Sequence, residues 1–285
     1  MSEAVSTAGV AYGRRGGPSL TRVFVVGLLG LYLFPFAYVI YVALLDPAET
    51  MSSDVQFWPP KFGNFADAWF AVPFGRYYLN TLFVALAITV GSTLTSILAA
   101  YVFARTEFRG KTLLFFAVIA TLMIPGHVTL IPNYLTLAKF GLLNSYWALV
   151  LPFLANGFSV FFLRQFMLGI PREVEEAARL DGAGLWRTLW DVIVPMSMPA
   201  IVAVSLFVFL SEWNSFIWPL IATSSEEMRT IQIGLAMMYR EEAEQGLVNW
   251  PLVMAGSVIV LLPTILAFAA AERQLVRGIA MGPSK

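Results

Sequence analysis

The chain has no cysteine, a single histidine and few charges. Each shortage removes a class of chemistry. Without cysteine there are no disulfides and no thiolate metal sites, and the redox compartment leaves no trace in the sequence. His127 alone cannot build a zinc cluster. Charged residues make up 13% of the 285 residues, where a soluble globular domain carries about 25%. Net charge is zero, so bulk charge says nothing about nucleic acid or acidic partners. A phosphate-binding loop is also missing: Gly110-Lys111-Thr112 has the tail of one, without the upstream glycine or a preceding strand.

What is present is apolar. Hydrophobic residues reach 58% and mean hydropathy is +0.73. A membrane helix needs about 20 mostly apolar residues, and the chain offers six such runs, at residues 23–45, 79–104, 113–130, 146–166, 198–221 and 253–271. The first is too long for a signal-peptide core and no small-residue cleavage site follows it, so it reads as a retained anchor. The second carries Gly91, Ser92, Thr93, Thr95 and Ser96, residues that let helices approach closely in lipid. Pro125, Pro152, Pro199 and Pro263 fall within or beside the later runs, which is tolerated where neighbours re-satisfy the freed carbonyls. The fold class is therefore all-α integral membrane, with six spans at 23–271, a tail at 1–22 and a tail at 272–285.

Six spans place both termini on one side. Arg14, Arg15, Arg22, Arg105, Arg109, Lys111, Arg164, Arg172, Arg179, Arg187, Arg273, Arg277 and Lys285 fall on that side, thirteen of the eighteen basic residues. By the positive-inside rule that side is cytoplasmic. Two longer connections face the other way. Residues 46–78 are aromatic, with Trp58, Trp69, Tyr77 and Tyr78. Residues 223–250 are acidic, with Glu226, Glu227, Glu241, Glu242 and Glu244. Both suit contact with an external partner, and both suit a solvated loop with interfacial anchors.

The largest inner loop, 167–196, carries a pattern of its own. Pro171 suits the first position of a helix. Glu173, Glu175 and Glu176 follow in the first turns, where the dipole favours carboxylates, and Arg179 lies towards the far end. Ala177 and Ala178 favour a helix without adding bulk. Gly182 supplies the positive φ that stops it. Residues 185–194 read as a second short helix closed by Pro195. A helix–turn–helix on the inner surface results. A small-residue face of this kind suits docking into another protein's groove; an interfacial amphipathic segment fits the periodicity equally.

The segment resembles the EAA loop of ABC importer permeases, E-A-A-x3-G-x9-I-x-L-P. Glu176-Ala177-Ala178, Gly182 and Val192-Ile193-Val194-Pro195 keep every spacing; Val192 and Val194 replace isoleucine and leucine. Arg105 to Lys111, Met123-Ile124-Pro125, Gly141 to Tyr146, Phe162 to Phe166 and Glu212-Trp213-Asn214 with Trp218-Pro219 resemble the MalG-like carbohydrate permeases. Within that group the chain is most similar to UgpE-type subunits, which serve glycerol-phosphate-type substrates.

The resemblance implies the type I importer permease fold in a bacterial inner membrane, with both termini cytoplasmic. It implies a second permease subunit forming a heterodimer, two ATP-binding subunits that hold ATP and Mg, and an extracellular solute-binding protein. No cofactor and no catalysis belong to this chain. Glu176, Ala177, Ala178 and Gly182 would form the core of the coupling helix and its turn, Arg179 and Asp181 its polar contacts, and Pro195 its exit. A sugar or glycerol-phosphate-type solute is implied; an oligosaccharide or amino-sugar would suit the same architecture. A secondary transporter would need an inverted repeat or charges spread over several spans; no repeat stands out, and Glu212 alone is a charge deep in a span.

Glu212 is the acidic residue deep in a span. Burying it costs on the order of 2.5–3.5 kcal/mol, so it faces the bundle interior or a watery cavity. With Trp213 and Asn214 it suits a lining for the translocation path, since carboxylate and amide bond hydroxyls and an indole stacks on a sugar. A structural joint between helices explains the same three residues. His127 lies beyond the Pro125 kink, at the opposite surface from the coupling loop.

Overall fold

In lipid a backbone satisfies its own hydrogen bonds, so apolar runs of this length fold as helices. The computed structural model describes residues 20–48 and 59–280, with the side chains of all but 273 and 275–280. Among the described residues there are helices and turns and no strand. The expected tail segments at 1–19 and 281–285, the side chains of Arg273 and Arg277, and residues 49–58 with Trp58 lie outside the described residues.

The first helix, α1 (Leu20–Ala43), packs along one partner, the last helix of the chain, and leaves most of its apolar surface exposed. The next, α2 (Gly63–Ala71), is held to its end by Asn64. The Asn64 amide donates to the carbonyls of Ala43 and Leu45, each at 2.8 Å, which satisfies acceptors that a helix end leaves free. Lys61 and Asp46 pair at 2.9 Å across the same corner, and this hydrogen bond holds the Asp46 carboxyl below its usual range.

The longest helix, α3 (Phe74–Arg105), begins at Phe74, ahead of the expected 79. Here part of the aromatic connection is helical, because Tyr77 and Phe74 are fully buried and pull the chain into the bundle. The third apolar run behaves differently from a single straight span. Its helix, α4 (Lys111–Leu122), has 12 residues, about 18 Å, against a hydrocarbon core of about 30 Å. The chain then turns by 97° through Gly126–Thr129 into α5 (Leu130–Lys139). Pro125 causes the turn: it disfavours helical backbone at Ile124 and is itself extended, with φ −58° and ψ 133°.

The fourth run is also broken, into α6 (Tyr146–Val150) and α7 (Gly157–Leu168), bent by 41°. Asn156 starts α7 afresh, its side-chain oxygen accepting from the Ser159 N–H at 2.9 Å. Next come α8 (Arg172–Leu180), α9 (Leu185–Arg187), a π-helical turn at Thr188–Ile193, α10 (Val194–Met196) and α11 (Met198–Trp213). The fifth run stops at Trp213, short of the expected 221, and resumes as α12 (Ile217–Ala222). Pro219 lacks the N–H that would bond the Ser215 carbonyl, and its ring crowds that carbonyl. Asn214 turns back and donates to Leu210 O at 2.7 Å. The acidic connection contains a further helix, α13 (Ile231–Glu244), before α14 (Trp250–Ala280) closes the bundle.

At the centre, α3 packs against α7 and α11, and α14 packs against α11, α1 and α2. One apolar core gathers Ile97, Ala100, Leu163, Met167, Ile193 and Val204; a second gathers Phe74, Tyr77, Trp213, Met238 and Ala255 towards the Phe74 end of α3. Thr93 and Ser205 share a hydrogen bond of 3.1 Å between α3 and α11. Near the Phe74 end of α3, α13 lies close to α3, where Gly234 meets the Tyr77 ring with no room for a side chain.

Candidate functional site

Two regions carry the residues the sequence singles out: the surface helix–turn–helix between α7 and α11, and the end of α11.

In the first, Pro171 takes extended backbone, φ −56° and ψ 138°, and sits just before α8 instead of at its first helical position. Glu173 and Glu175 occupy the first turn and Arg179 the last, in line with the helix dipole. The helix ends as the sequence requires. Gly182 has φ +82°. Its N–H donates to Arg179 O at 3.0 Å, and the Ala183 N–H donates to Ala178 O at 2.9 Å. These two bonds form a Schellman motif, which closes the last carbonyls of α8. Pro195 does not close the second element as expected: it sits inside α10, which runs on to Met196. It cannot donate to Asp191 O and its ring crowds that carbonyl, and the preceding turn widens to π geometry over Thr188–Ile193.

The faces of α8 divide the residues differently from the expected arrangement. Glu176, Ala177, Arg179 and Asp181 are exposed, and Leu180 is 90% exposed. Ala178 is half-buried and faces the body of the protein. Beyond the turn Leu185 and Trp186 are exposed as well, 59% and 67%. An apolar lip therefore runs around Gly182, flanked by the Glu176 carboxylate and the Arg179 and Arg187 cations. Leu185 and Trp186 also line a groove with Leu98, Tyr101 and Val102 at the end of α3.

Sequence reasoning did not find what fastens this platform. Glu175 is buried and forms an ion pair with Arg105, the last residue of α3. Arg105 also donates from Nη2 to Ile170 O at 2.7 Å. From α7, Arg164 donates through Nε to Phe103 O at 3.1 Å, with its guanidinium 3.9 Å over the Phe115 ring. Two arginines thus hold the Arg105 end of α3, α7 and α8 together. The basic pattern showed Arg105 and Arg164 as charges on one side; nothing in spacing showed that Arg105 turns inward.

The second region separates the Glu212-Trp213-Asn214 triplet. Trp213 is fully buried and donates through its indole N–H to Val260 O of α14 at 3.0 Å. Its ring stacks on Phe209 and meets the Tyr78 edge. This is the geometry of a joint between helices, and it leaves no face of the indole for a solute. Asn214 is exposed, with its amide spent on Leu210. Glu212 is half-buried, and its carboxylate has no hydrogen-bond or ion-pair partner among the described residues. A groove of about 630 Å³ opens beside these elements, between α3, α11 and α14. Its walls are apolar apart from the Thr89 and Ser205 hydroxyls and Tyr78, and Glu212 does not line it. His127 is exposed in the turn after α4. No cluster of three metal-ligating side chains occurs among the described residues.

The opposite end of α3 is also clamped. Asn80 donates through Nδ2 to Glu227 O and Arg229 O, each at 2.8 Å, and accepts from the Tyr146 hydroxyl at 2.7 Å. Asn144, in left-handed backbone at φ 56°, accepts the N–H groups of Ser224 and Ser225 at 3.0 Å. Thr81 accepts the Ile231 N–H at 2.8 Å. The acidic connection is therefore tied down at its start and helical at its middle.

Comparison with known proteins converges on one family. Residues 91–279 match the profile described as binding-protein-dependent transport system inner membrane component. The chain is 33% identical over 265 residues to the sn-glycerol-3-phosphate transport system permease protein UgpE of Yersinia pestis, covering 90% of this chain and 93% of that one. It is 30% identical over 257 residues to the diacetylchitobiose uptake system permease protein NgcG of Streptomyces coelicolor, covering 88% and 84%. Its fold matches a chain of a bacterial ABC transporter involved in the import of the acidic polysaccharide alginate, with a TM-score of 0.79 at 22% identity, over 89% of this chain and 94% of that one.

Proposed function

Because the chain belongs to the family of binding-protein-dependent transport system inner membrane components, and is thus a permease subunit of an ABC importer, we propose that residues 172–196 are its coupling segment. The observation that carries this reading is the platform itself. It presents exposed apolar side chains about a Schellman turn, and its other face is fastened to the end of α3 by Arg105, while Arg164 ties that end of α3 to α7. A surface fastened below and open above suits a partner that pushes on it. Glu176, Ala177, Leu180 and Trp186 supply contact area, and Arg179 and Asp181 supply charge at its edge. Ala178 supports the helix from beneath.

The partner is an ATP-binding subunit, since this chain carries no phosphate loop. ATP and Mg belong to that subunit. Two such subunits, a second permease and an extracellular solute-binding protein complete the importer. A chain in the alginate importer crystallised with its alginate-bound periplasmic protein shares this fold, with a TM-score of 0.63. The Arg105 end of the bundle is cytoplasmic, by the excess of basic residues there, and both termini lie on that side. The solute is a sugar or glycerol-phosphate-type molecule, by the relatives named for glycerol-3-phosphate and for diacetylchitobiose. Glu212 is half-buried and outside the groove lining, so it does not choose between a phosphate and a neutral sugar.

Co-purification from membranes tests the reading. An ATPase and a second permease are expected to accompany this chain, and solute uptake is expected to need all of them. Full transport by the chain alone would overturn it. The ligand of the accompanying binding protein then identifies the solute.

A further inference from the structure

Arg105 and Glu175 are buried together, with side chains 5% and 6% exposed. Lys61–Asp46, Lys111–Glu107, Arg187–Asp191 and Arg240–Glu244 each leave at least one side chain open. Taking two charges out of water is costly, and a well-packed apolar pair of similar size often serves stability as well. A role beyond stability therefore follows from position.

The covalent route from α8 leads to α7 through the short link at residues 169–171, and to α11 through the π turn and α10. Neither route reaches α3 directly. Yet α3 is the helix against which both α7 and α11 pack, and its far end holds the acidic connection through Asn80 and Thr81. Apolar packing brings Leu185, Trp186 and Leu189 up to the end of α3, and the Arg105–Glu175 pair adds the one ion pair between α3 and α8 among the described residues. It joins the last residue of α3 to the first turn of α8, on the side facing away from Glu176, Ala177 and Leu180. The second bond from Arg105, to Ile170 O, fixes the guanidinium against the α7–α8 link at the same time.

We infer that Arg105 and Glu175 are positioning residues that make α3 move with the coupling helix when a partner presses on the exposed face of α8. This rests on the coupling role proposed for α8. Glu175 touches neither solute nor nucleotide; it acts through Arg105.

The test uses the full importer, with both permeases, the ATPase subunits and the binding protein, in proteoliposomes. Two readings are taken: the amount of ATPase that co-purifies, and the ratio of ATP hydrolysis with and without solute-loaded binding protein. In Arg105→Met/Glu175→Leu both charges go and the volume stays. The ATPase is expected to co-purify at the normal amount, and the ratio to fall by about tenfold, within the range of ordinary coupling free energies. The reversed pair, Arg105→Glu/Glu175→Arg, is expected to recover most of the ratio. An unchanged ratio in the apolar pair overturns the inference. Should the apolar pair fail to assemble, Glu175→Asp keeps both charges and shortens the reach, and the same two outcomes apply to it. Ala177→Trp separates this inference from the reading beneath it. Normal uptake with Ala177→Trp overturns the coupling role of α8 itself; lost uptake there, with a normal ratio in the apolar pair, overturns the Arg105–Glu175 link alone.

Discussion

Glu175 and Glu176 are neighbours in the chain and face different surroundings. Glu175 is buried against Arg105, whereas Glu176 is exposed on the outer face of α8. The 100° step of an α-helix is enough to give adjacent carboxylates separate tasks. Glu175→Gln leaves the Arg105 guanidinium buried and without its counter-charge, a loss of about 3–5 kcal/mol. Glu176→Gln changes stability by less than about 0.5 kcal/mol, as surface substitutions do. Thermal unfolding of the two variants in the same detergent checks the contrast, and equal midpoints would contradict it.

Gly182 stands at φ +82° with open space around it. A side chain there meets no neighbour and is penalised through the backbone alone. Gly182→Ala is expected to cost about 1 kcal/mol. Amide exchange at Gly182 and Ala183, the donors that close α8, should rise severalfold, while exchange in α3 stays as it was.

Gly234 is restricted for the opposite reason. A Cβ there would lie 2.5 Å from the Tyr77 ring, and Tyr77 is fully buried. The ring cannot retreat, so Gly234→Ala should lose about 1–3 kcal/mol by overpacking. Tyr77→Leu is expected to restore part of that loss in the double variant. Additive losses in the cycle would show that the two residues do not touch.

Asn80 makes three bonds, two of them to the carbonyls of Glu227 and Arg229. In Asn80→Leu those carbonyls lose their donors, at about 1 kcal/mol each. The segment around Arg229 then opens more often, and trypsin should cut after Arg229 faster than in the parent chain, by about tenfold for each 1.4 kcal/mol lost. Cleavage after Arg240, in the exposed part of α13, should keep its rate.

The apolar runs and the helix–turn–helix were legible because each depends on neighbours in sequence. Run length reports a membrane, and Gly182 reports a helix end. The spacing from Glu176 to Pro195 reports the family. The broken spans were partly legible: Pro125 and Pro152 mark two of the bends, but the stop at Trp213 needs Asn214 to fold back on Leu210 as well as Pro219 ahead. Trp213 was ambiguous in principle. An indole suits a sugar face and a helix joint alike, and only the position of Val260, 47 residues away, decides for the joint. The Arg105–Glu175 pair was hidden for the same reason. Arg105 is one more cation at a helix end until the fold brings Glu175 to it from 70 residues away. Residues whose roles depend on long-range contact leave no periodic mark.

The two clamps on α3, at Asn80 and at Arg105, are 25 residues apart, or about 37 Å along the axis. The hydrocarbon layer is about 30 Å thick. Upright, the helix keeps both polar anchors outside the oil. Leaning by more than about 35° would draw one of them into the acyl chains, given the projected length of a tilted helix. The lipid therefore acts as a stop on how far α3 can rock, and a thicker bilayer sets that stop earlier.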